Sequence, residues 1–394
     1  MLGEPSPTER VVSEWEEREA SQEVGVRGAP GEASPRPADG RGASVVVVDY
    51  NAGAERARRV AAALRAQRLP PAEVLVVDNA SRDASAEAFA EAGRGLPLRV
   101  LRPGRNLGFA AANNLAVRAA RSPLVALLNP DAYPAPGWLE ALVAAAERYP
   151  WAAAFGSLQV DAFDPARLDG AGDVYTAWGY AYRGHWRWPT RTAPRRDAEV
   201  FAPCAAAALY RRDAFLEVGG FDERFFCYHE DVDLGFRLRL AGWRSVQVAA
   251  ARVLHEGSGV TGFRSDFVVY HGTRNRIWTY VKNMPAGVLC ATLPAHVLLN
   301  GLLQIRGWRN GTLRAVLRGQ RDALRGLPGV LASRSQVARR AKVREVLGAM
   351  TWSPSKPLRR AADLRSLEAA APRGPEVPSP RATASAGPSR ESAP

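Results

Sequence analysis

The sequence predicts an α/β protein: an open, mostly parallel sheet with helices on both faces, followed by a helical extension. Three observations carry this. Short apolar, β-branched runs alternate four times with Ala/Leu-rich helical stretches between residues 44 and 148. Each run ends in a polar or acidic cluster. Beyond about Asp266 the acidic motifs stop and the chain becomes basic and helical in pattern. With 394 residues, 46% hydrophobic and 24% charged, there is material for one large domain with tails, or for two domains.

Taken in order, Ser44 to Asp49 reads as a strand, Asn51 and Gly53 as a turn, and Ala54 to Arg68 as a helix. The pattern repeats as strand Glu73–Asp78 and helix Asp83–Glu91, strand Leu98–Leu101 and helix Gly108–Ala120, strand Leu124–Leu128 and helix Trp138–Arg148. Sheets of this kind bind ligands outside the carboxyl ends of their strands. Those ends carry Asp49-Tyr50-Asn51, Asp78-Asn79-Ala80-Ser81, Arg102 to Asn106 and Asn129-Pro130-Asp131. No G-x-G-x-x-G follows the first strand, so dinucleotide binding of the hydride-transfer kind lacks its main support.

Strand-end carboxylates suit a different nucleotide mode. Asp78 is placed to accept from a pyrimidine N–H and Asn79 to bond base or ribose, while Asp131 suits a hard Mg²⁺ or Mn²⁺ bridging two phosphates. Either cluster alone also reads as an ordinary turn or helix cap; their occurrence on successive strand ends favours the ligand reading. Further on, Gly219-Gly220-Phe221-Asp222 leads to His229-Glu230-Asp231-Val232-Asp233, with three carboxylates in four residues at the start of a helix that ends near Gly242. A solvated helix N-terminus and a catalytic cluster fit that spacing equally. His255 closes a short apolar run and precedes Glu256-Gly257, a place from which it would ligate a metal.

Charge narrows the class. The net charge of +13 is concentrated in residues 262–360, which carry 18 Lys+Arg against 3 Asp+Glu, so the rest of the chain sums to about −2. This basic region adjoins the only long uncharged stretch, the 21 residues Pro285–Ile305, broken by Pro294, His296 and Asn300. Arginines on both flanks oppose a single span, so the expectation is a segment lying in the interface of an anionic membrane, with a buried hairpin as the alternative. Nucleic acid is not expected, because the acidic rim repels phosphate. Three cysteines, without C-x-x-C, point to a reducing compartment, and the N-terminus lacks a secretory pattern, so a cytoplasmic protein peripheral to the inner membrane face is expected. The expected organisation is a disordered lead (1–43), a catalytic domain (44–262), a basic helical region (263–365) and a disordered tail (366–394).

With these residues laid out, the chain resembles the family 2 glycosyltransferases of the GT-A fold, in particular the bacterial rhamnosyltransferase-like branch. The resemblance runs from about Ser44 to Asn283 and rests on an ordered set of motifs: Val47 to Asn51, Val76 to Asp83, Asn106 to Asn114, Asn129 to Asp131, Gly219 to Asp222, Glu230 to Arg237, and His255. It implies that Tyr50, Asn51, Asp78, Asn79, Ser81, Asn106, Gly108, Asn113 and Asn129 surround a nucleotide sugar. It also implies that Asp131 and His255 hold Mg²⁺ or Mn²⁺ and that Asp231 is the base, with Glu230 beside it. Asn129 stands where the family's D-x-D element has its first carboxylate. The activity implied is inverting transfer of rhamnose or another hexose from a nucleoside diphosphate to a lipid-linked or polysaccharide acceptor in cell-envelope synthesis, with Arg105 or Arg191–Arg196 assisting the leaving group. The alternative is a non-catalytic nucleotide-sugar or glycan-binding protein on the same fold. Trp178, Tyr180, Tyr182, Trp186 and Trp188 are candidates for stacking on sugar rings or for a packed cover over the sheet.

Overall fold

A computed structural model describes residues 42–257, 262 and 265–367. Nearly all of the lead and of the tail therefore lie outside the described residues. The first half alternates strand and helix: β1 (Ala43–Asp49), α1 (Ala54–Arg65), β2 (Glu73–Asp78), α2 (Ser85–Ala92), β3 (Leu98–Leu101), α3 (Gly108–Ala119) and β4 (Leu124–Leu128). β1 pairs in parallel with both β2 and β4, and β2 with β3. Val45, Val46 and Val47 are all fully buried, as expected of a central strand covered on both faces. In α1, Ala57, Val60, Ala61 and Leu64 form the buried stripe at i, i+3, i+4 and i+7 that seats the helix on the sheet.

The second half is more β-rich than the sequence suggested. It runs β5 (Ala132–Pro134), α4 (Trp138–Arg148), β6 (Ala152–Asp161), β7 (Leu168–Gly170), β8 (Asp173–Tyr175), β9 (Ala181–Arg183), β10 (Ala198–Val200), β11 (Ala207–Arg211), α5 (Arg212–Glu217), α6 (Glu230–Leu240) and β12 (Arg244–His255). The main sheet order is β10-β12-β6-β11-β4-β1-β2-β3, with β11 antiparallel to both β4 and β6 and β12 parallel to β6. The sheet is mostly parallel, as expected, and carries an antiparallel insertion. Two apolar layers cover it, one around Trp138 and Phe155, the other around Tyr210, Phe215 and Phe221.

Beyond the sheet follow α7 (Asp266–Asn283), α8 (Ala286–Arg309), α9 (Leu313–Arg325), α10 (Leu327–Arg334), α11 (Val343–Gly348) and α12 (Ser355–Arg359). This region is helical, as the sequence suggested, but it is bound to the half that holds the sheet. Lys282 Nζ donates to Asp222 Oδ2 at 2.7 Å and to Asp233 Oδ2 at 3.0 Å, and Asn283 Nδ2 to Asp233 Oδ1 at 2.7 Å. After α12 the chain returns to the sheet edge, where Glu199 and Arg365 exchange backbone hydrogen bonds of 2.9 and 3.0 Å.

Candidate active site

The strand ends converge on one cavity of about 880 Å³. Of the residues picked from the sequence, Tyr50, Asn79, Asn106, Gly108, Asn129, Asp131, Glu230, Asp231 and His255 line it. The remaining four stand apart from its lining. Asn51 and Ser81 tie the first two loops together, Asn51 N donating to Ser81 Oγ at 3.1 Å and Arg82 N to Asn51 Oδ1 at 2.7 Å. Asp78 accepts from Ser81 N at 2.9 Å and pairs with Arg102 at 3.5 Å. Asn113 is buried within α3 and donates to Phe109 O at 2.9 Å.

The loops after β2 and before α3 are held by side-chain amides. Leu107 N donates to Asn79 Oδ1 at 2.8 Å, while Asn79 Nδ2 and Gly108 N both donate to Asn106 Oδ1, at 2.9 and 2.8 Å. These bonds join the end of β2 to the start of α3. Beneath them lies Asp49, fully buried, accepting from Ser85 Oγ at 2.7 Å. Burial pushes its carboxyl up to about 6, with the Ser85 hydrogen bond opposing.

At the other side of the cavity β12 brings His255 opposite Ala132, so that it abuts Asp131. The strand reaches this position through a register shift between Val248 and Arg252. His255 Nδ1 lies 2.7 Å from Asp169 Oδ2, which turns Nε2 toward Asp131 Oδ1 at 3.4 Å. Nε2 is buried without a hydrogen-bond partner. A carboxylate behind one ring nitrogen, with the other left open beside a second carboxylate, is how a metal-binding histidine is oriented. The donor set of Asp131 and His255 thus fits Mg²⁺ or Mn²⁺. Burial disfavours charge on His255, but Asp131 and Asp169 outweigh it and hold the imidazole up at about 9. Asp169 is a residue that sequence reasoning missed; it lies in an aromatic-rich stretch whose fold no periodicity announced.

The acidic motif at 230–233 divides. Glu230 and Asp231 face the cavity, whereas Asp233 is fully buried behind them, 2.8 Å from Arg237 Nε, and serves the contact with α7. Asp231 accepts from Val232 N at 2.8 Å and Ala205 N at 3.2 Å at the start of α6, where the helix dipole favours an anion. Burial nevertheless raises the proton affinity of Asp231, and burial followed by the charge of Asp231 pushes Glu230 far above the usual carboxylate range. The loop feeding α6 has positive φ at Phe226, Tyr228 and His229. With Phe267 and Val268, Phe226 and Tyr228 give the cavity an apolar wall.

Two expectations need correction. Neither Arg105 nor Arg191–Arg196 lines the cavity; its arginines are Arg183 and Arg360. Of the aromatic segment only Tyr182 lines it, and two others brace the returning chain: Trp188 Nε1 donates to Arg359 O at 2.8 Å and Arg360 lies 5.5 Å above the Trp186 ring. For Trp186 and Trp188 the packing reading fits, because their partners are a backbone group and an arginine of the C-terminal segment.

A mixed sheet whose strand ends gather polar loops, a carboxylate–histidine pair and the acidic pair Glu230–Asp231 around one cavity suits glycosyl transfer. The glycosyl transferase family 2 model matches residues 44–219. An N-acetylglucosaminyl-diphospho-decaprenol L-rhamnosyltransferase of Mycobacterium tuberculosis is 37% identical over 240 residues, 55% of this chain and 77% of the relative. An O-antigen biosynthesis protein, RfbC, of Myxococcus xanthus is 32% identical over 221 residues, 54% of this chain and 17% of that protein. Among solved structures, GalNAc-T7 with UDP, GalNAc and Mn²⁺ aligns with a TM-score of 0.49 at 16% identity, covering 61% of this chain and 50% of the other. The chain belongs to glycosyl transferase family 2, on its rhamnosyltransferase-like side, and is a glycosyltransferase.

Proposed function

We propose that this protein is an inverting, cation-assisted transferase that moves L-rhamnose, or another hexose, from a nucleoside diphosphate to a lipid-linked N-acetylglucosamine acceptor in cell-envelope glycan synthesis. The observation that carries the reading is one cavity with the Asp131–His255 pair on one side and, on another, buried Glu230 beside half-buried Asp231. Support for the acceptor comes from the mycobacterial relative, whose name states such an acceptor. In this reading Tyr50, Asn51, Asp78, Asn79, Ser81, Asn106, Gly108, Asn113 and Asn129 hold or shape the nucleotide sugar, directly or through the loops they tie. Asp131 and His255 hold Mg²⁺ or Mn²⁺, which when bound neutralises charge developing on the diphosphate. Asp231 removes the proton of the acceptor hydroxyl, and its raised proton affinity suits a base working near neutrality. Attack from the side opposite the diphosphate inverts the anomeric centre.

The same proposal places the protein at the cytoplasmic face of an anionic membrane through α8. This helix of 24 residues has a mean hydropathy of 1.6 in its most apolar window. One side is tied to protein: His296 Nδ1 to Trp178 O at 2.9 Å, Asn300 Oδ1 to Arg276 Nη2 at 2.8 Å, and Gln304 Nε2 to Gln320 Oε1 at 2.7 Å. Another side presents Val297, Leu298, Leu302, Ile305 and Trp308, each more than half exposed. A helix bound along one side is not surrounded by lipid. It suits lying in the interface, with Arg306, Arg309, Arg314 and Arg318 close enough in sequence to meet anionic headgroups.

The test is nucleotide release from a panel of UDP, dTDP and GDP sugars, with and without a farnesyl-diphosphate-linked N-acetylglucosamine, in Mn²⁺ or Mg²⁺ and in chelator. Expected are cation-dependent transfer, its loss in Asp131→Ala, and at least a ~10³-fold fall in kcat in Asp231→Asn with donor KM little changed. Tight donor binding without turnover under any of these conditions would favour the binding-protein alternative.

A further inference from the structure

We propose that Asp173 and Arg183, which face each other across the β8–β9 hairpin, are positioning residues that set when Asp231 takes and gives up a proton, and that Arg183 connects this base to the donor side of the cavity. The inference rests on the reading of Asp231 as base and extends it to two residues that no sequence motif marked.

The hairpin is built to deliver them. Asp173 pairs in register with Arg183, and Asp173 N donates to Ala202 O at 2.9 Å, which pins the strand beside the segment leading into β11. A Cβ on Gly170 would lie 2.4 Å from the Cγ and Cδ of Arg183, so a glycine there lets the arginine stem pass. Asp173 and Arg183 both line the cavity beside Asp231. Carboxylate oxygens of Asp173 and Asp231 and the sulfur of Cys204 lie within 4.8 Å of one another. Such a trio can hold a cation, but the positive charge is already supplied: Arg183 Nη2 stands 3.1 Å from Cys204 Sγ, and its Nη1 is ion-paired with Asp169. Asp169 is in turn the partner of His255, so a continuous polar chain runs from Asp131 through His255, Asp169 and Arg183 to Asp231's neighbours.

The groups facing Asp231 can be sorted by charge. Burial, and then the charge of Asp231, disfavours ionisation of Glu230 on α6. Burial likewise pushes the Cys204 thiol, just before β11, up to about 12, and the Tyr210 phenol on β11 well above its ordinary range. That leaves Asp173 and Arg183 as the facing groups that act through charge. A carboxylate close to Asp231 raises its affinity for a proton and a guanidinium lowers it. Burial and Asp231 in turn push Asp173 up to about 7, so the two carboxyls titrate as a pair. In the transfer step the acceptor hydroxyl gives its proton to Asp231 and its oxygen bonds to the anomeric carbon. The bond from that carbon to the diphosphate oxygen breaks, and its electron pair leaves with the diphosphate. Asp173 and Arg183 contribute no atom to the bonds made or broken.

The test is a carboxyl ¹³C NMR titration of aspartate-labelled full-length protein, with the Asp231 resonance assigned by its loss in Asp231→Asn. Asp173→Asn is expected to lower the Asp231 midpoint by about one pH unit or more, and Arg183→Met to raise it by a similar amount. The acid limb of the kcat/KM profile for transfer to farnesyl-diphosphate-linked N-acetylglucosamine should move the same two ways, with the donor KM of Asp173→Asn within about twofold of wild type. Opposite shifts are what a merely structural role would not produce. Midpoints that stay put, or move the same way in both variants, overturn the inference. Should Arg183→Met fail to fold, the isosteric Asp173→Asn decides alone, and a midpoint that does not fall overturns it. Full turnover by Asp231→Asn would instead remove Asp231 as base; an inactive Asp231→Asn with unmoved midpoints removes only the present inference.

Discussion

Asp49 shows how a single buried carboxylate at the end of β1 couples stability to pH. Its folded-state affinity for protons is raised by burial, to about 6, above that of the unfolded chain. Between about pH 4 and 6 the folded protein therefore binds more protons than the unfolded one, and stability falls as pH rises through this window. Asp49→Asn removes the buried charge. It should stabilise the ligand-free protein by about 1–3 kcal/mol at pH 7.5, a gain that disappears near pH 4 in denaturant melts. His255 has the opposite sense. Its imidazole is held up at about 9 by Asp131 and Asp169 against the cost of burial. The stabilisation from this charge is fully present below the unfolded value of about 6.5 and is lost as pH rises through 9, about 3 kcal/mol at most. In chelator, wild type should lose stability across that range and His255→Gln should not; parallel curves would remove the effect.

At the level of elements, the contact between α3 and the loop before α6 controls where the acidic pair sits. Gly108, at the start of α3, has φ +78°, and a Cβ there would lie 2.4 Å from the Phe226 ring. Gly108→Ala must strain the backbone and push on the loop that carries Glu230 and Asp231. A loss of about 2–4 kcal/mol is expected, with kcat reduced at least tenfold. Gly104 is the control: its φ is +76° but a Cβ there would meet nothing within 4 Å, so Gly104→Ala should cost about 1–2 kcal/mol and leave kcat unchanged. Equal kinetics in the two variants would mean that the loop does not position the base. The same element explains why one motif has two jobs. Two positions apart on a helix of 3.6 residues per turn, Asp231 and Asp233 point to nearly opposite sides, so Asp231 meets the cavity while Asp233, on the side of Arg237, meets α7, where Lys282 neutralises Asp233 and Asp222 together.

For the molecule as a whole, the distribution of charge and apolar surface predicts a preferred orientation on lipid. Wild type should co-sediment with phosphatidylglycerol vesicles at low salt and release as salt rises, because the arginines act over a screened distance. Val297→Ser, Leu302→Gln and Trp308→Gln together should abolish binding without lowering the melting temperature, since all three side chains are largely exposed. A wild-type protein that stays in the supernatant at low salt would overturn the membrane assignment. The C-terminal segment is part of the same solid body: Arg360 lines the cavity, and Arg365 extends the sheet edge at Glu199.

What the sequence by itself determined is local and periodic. Continuous Val/Leu runs dictated the parallel strands β1, β2 and β4, and strand-end polar clusters located the cavity, because in a β/α repeat every strand end faces the same side. Asp131, Asp231 and His255 were legible for that reason, together with the motif order. Asp169, Asp173 and Arg183 were not, since they sit in strands of only three residues, too short to display a period. The division of the acidic motif, the corrected arginines and the return of the C-terminal segment are likewise matters of tertiary structure. Each turns on which distant group stands opposite, and burial fixes the energetic weight of that choice by removing water as a competing partner.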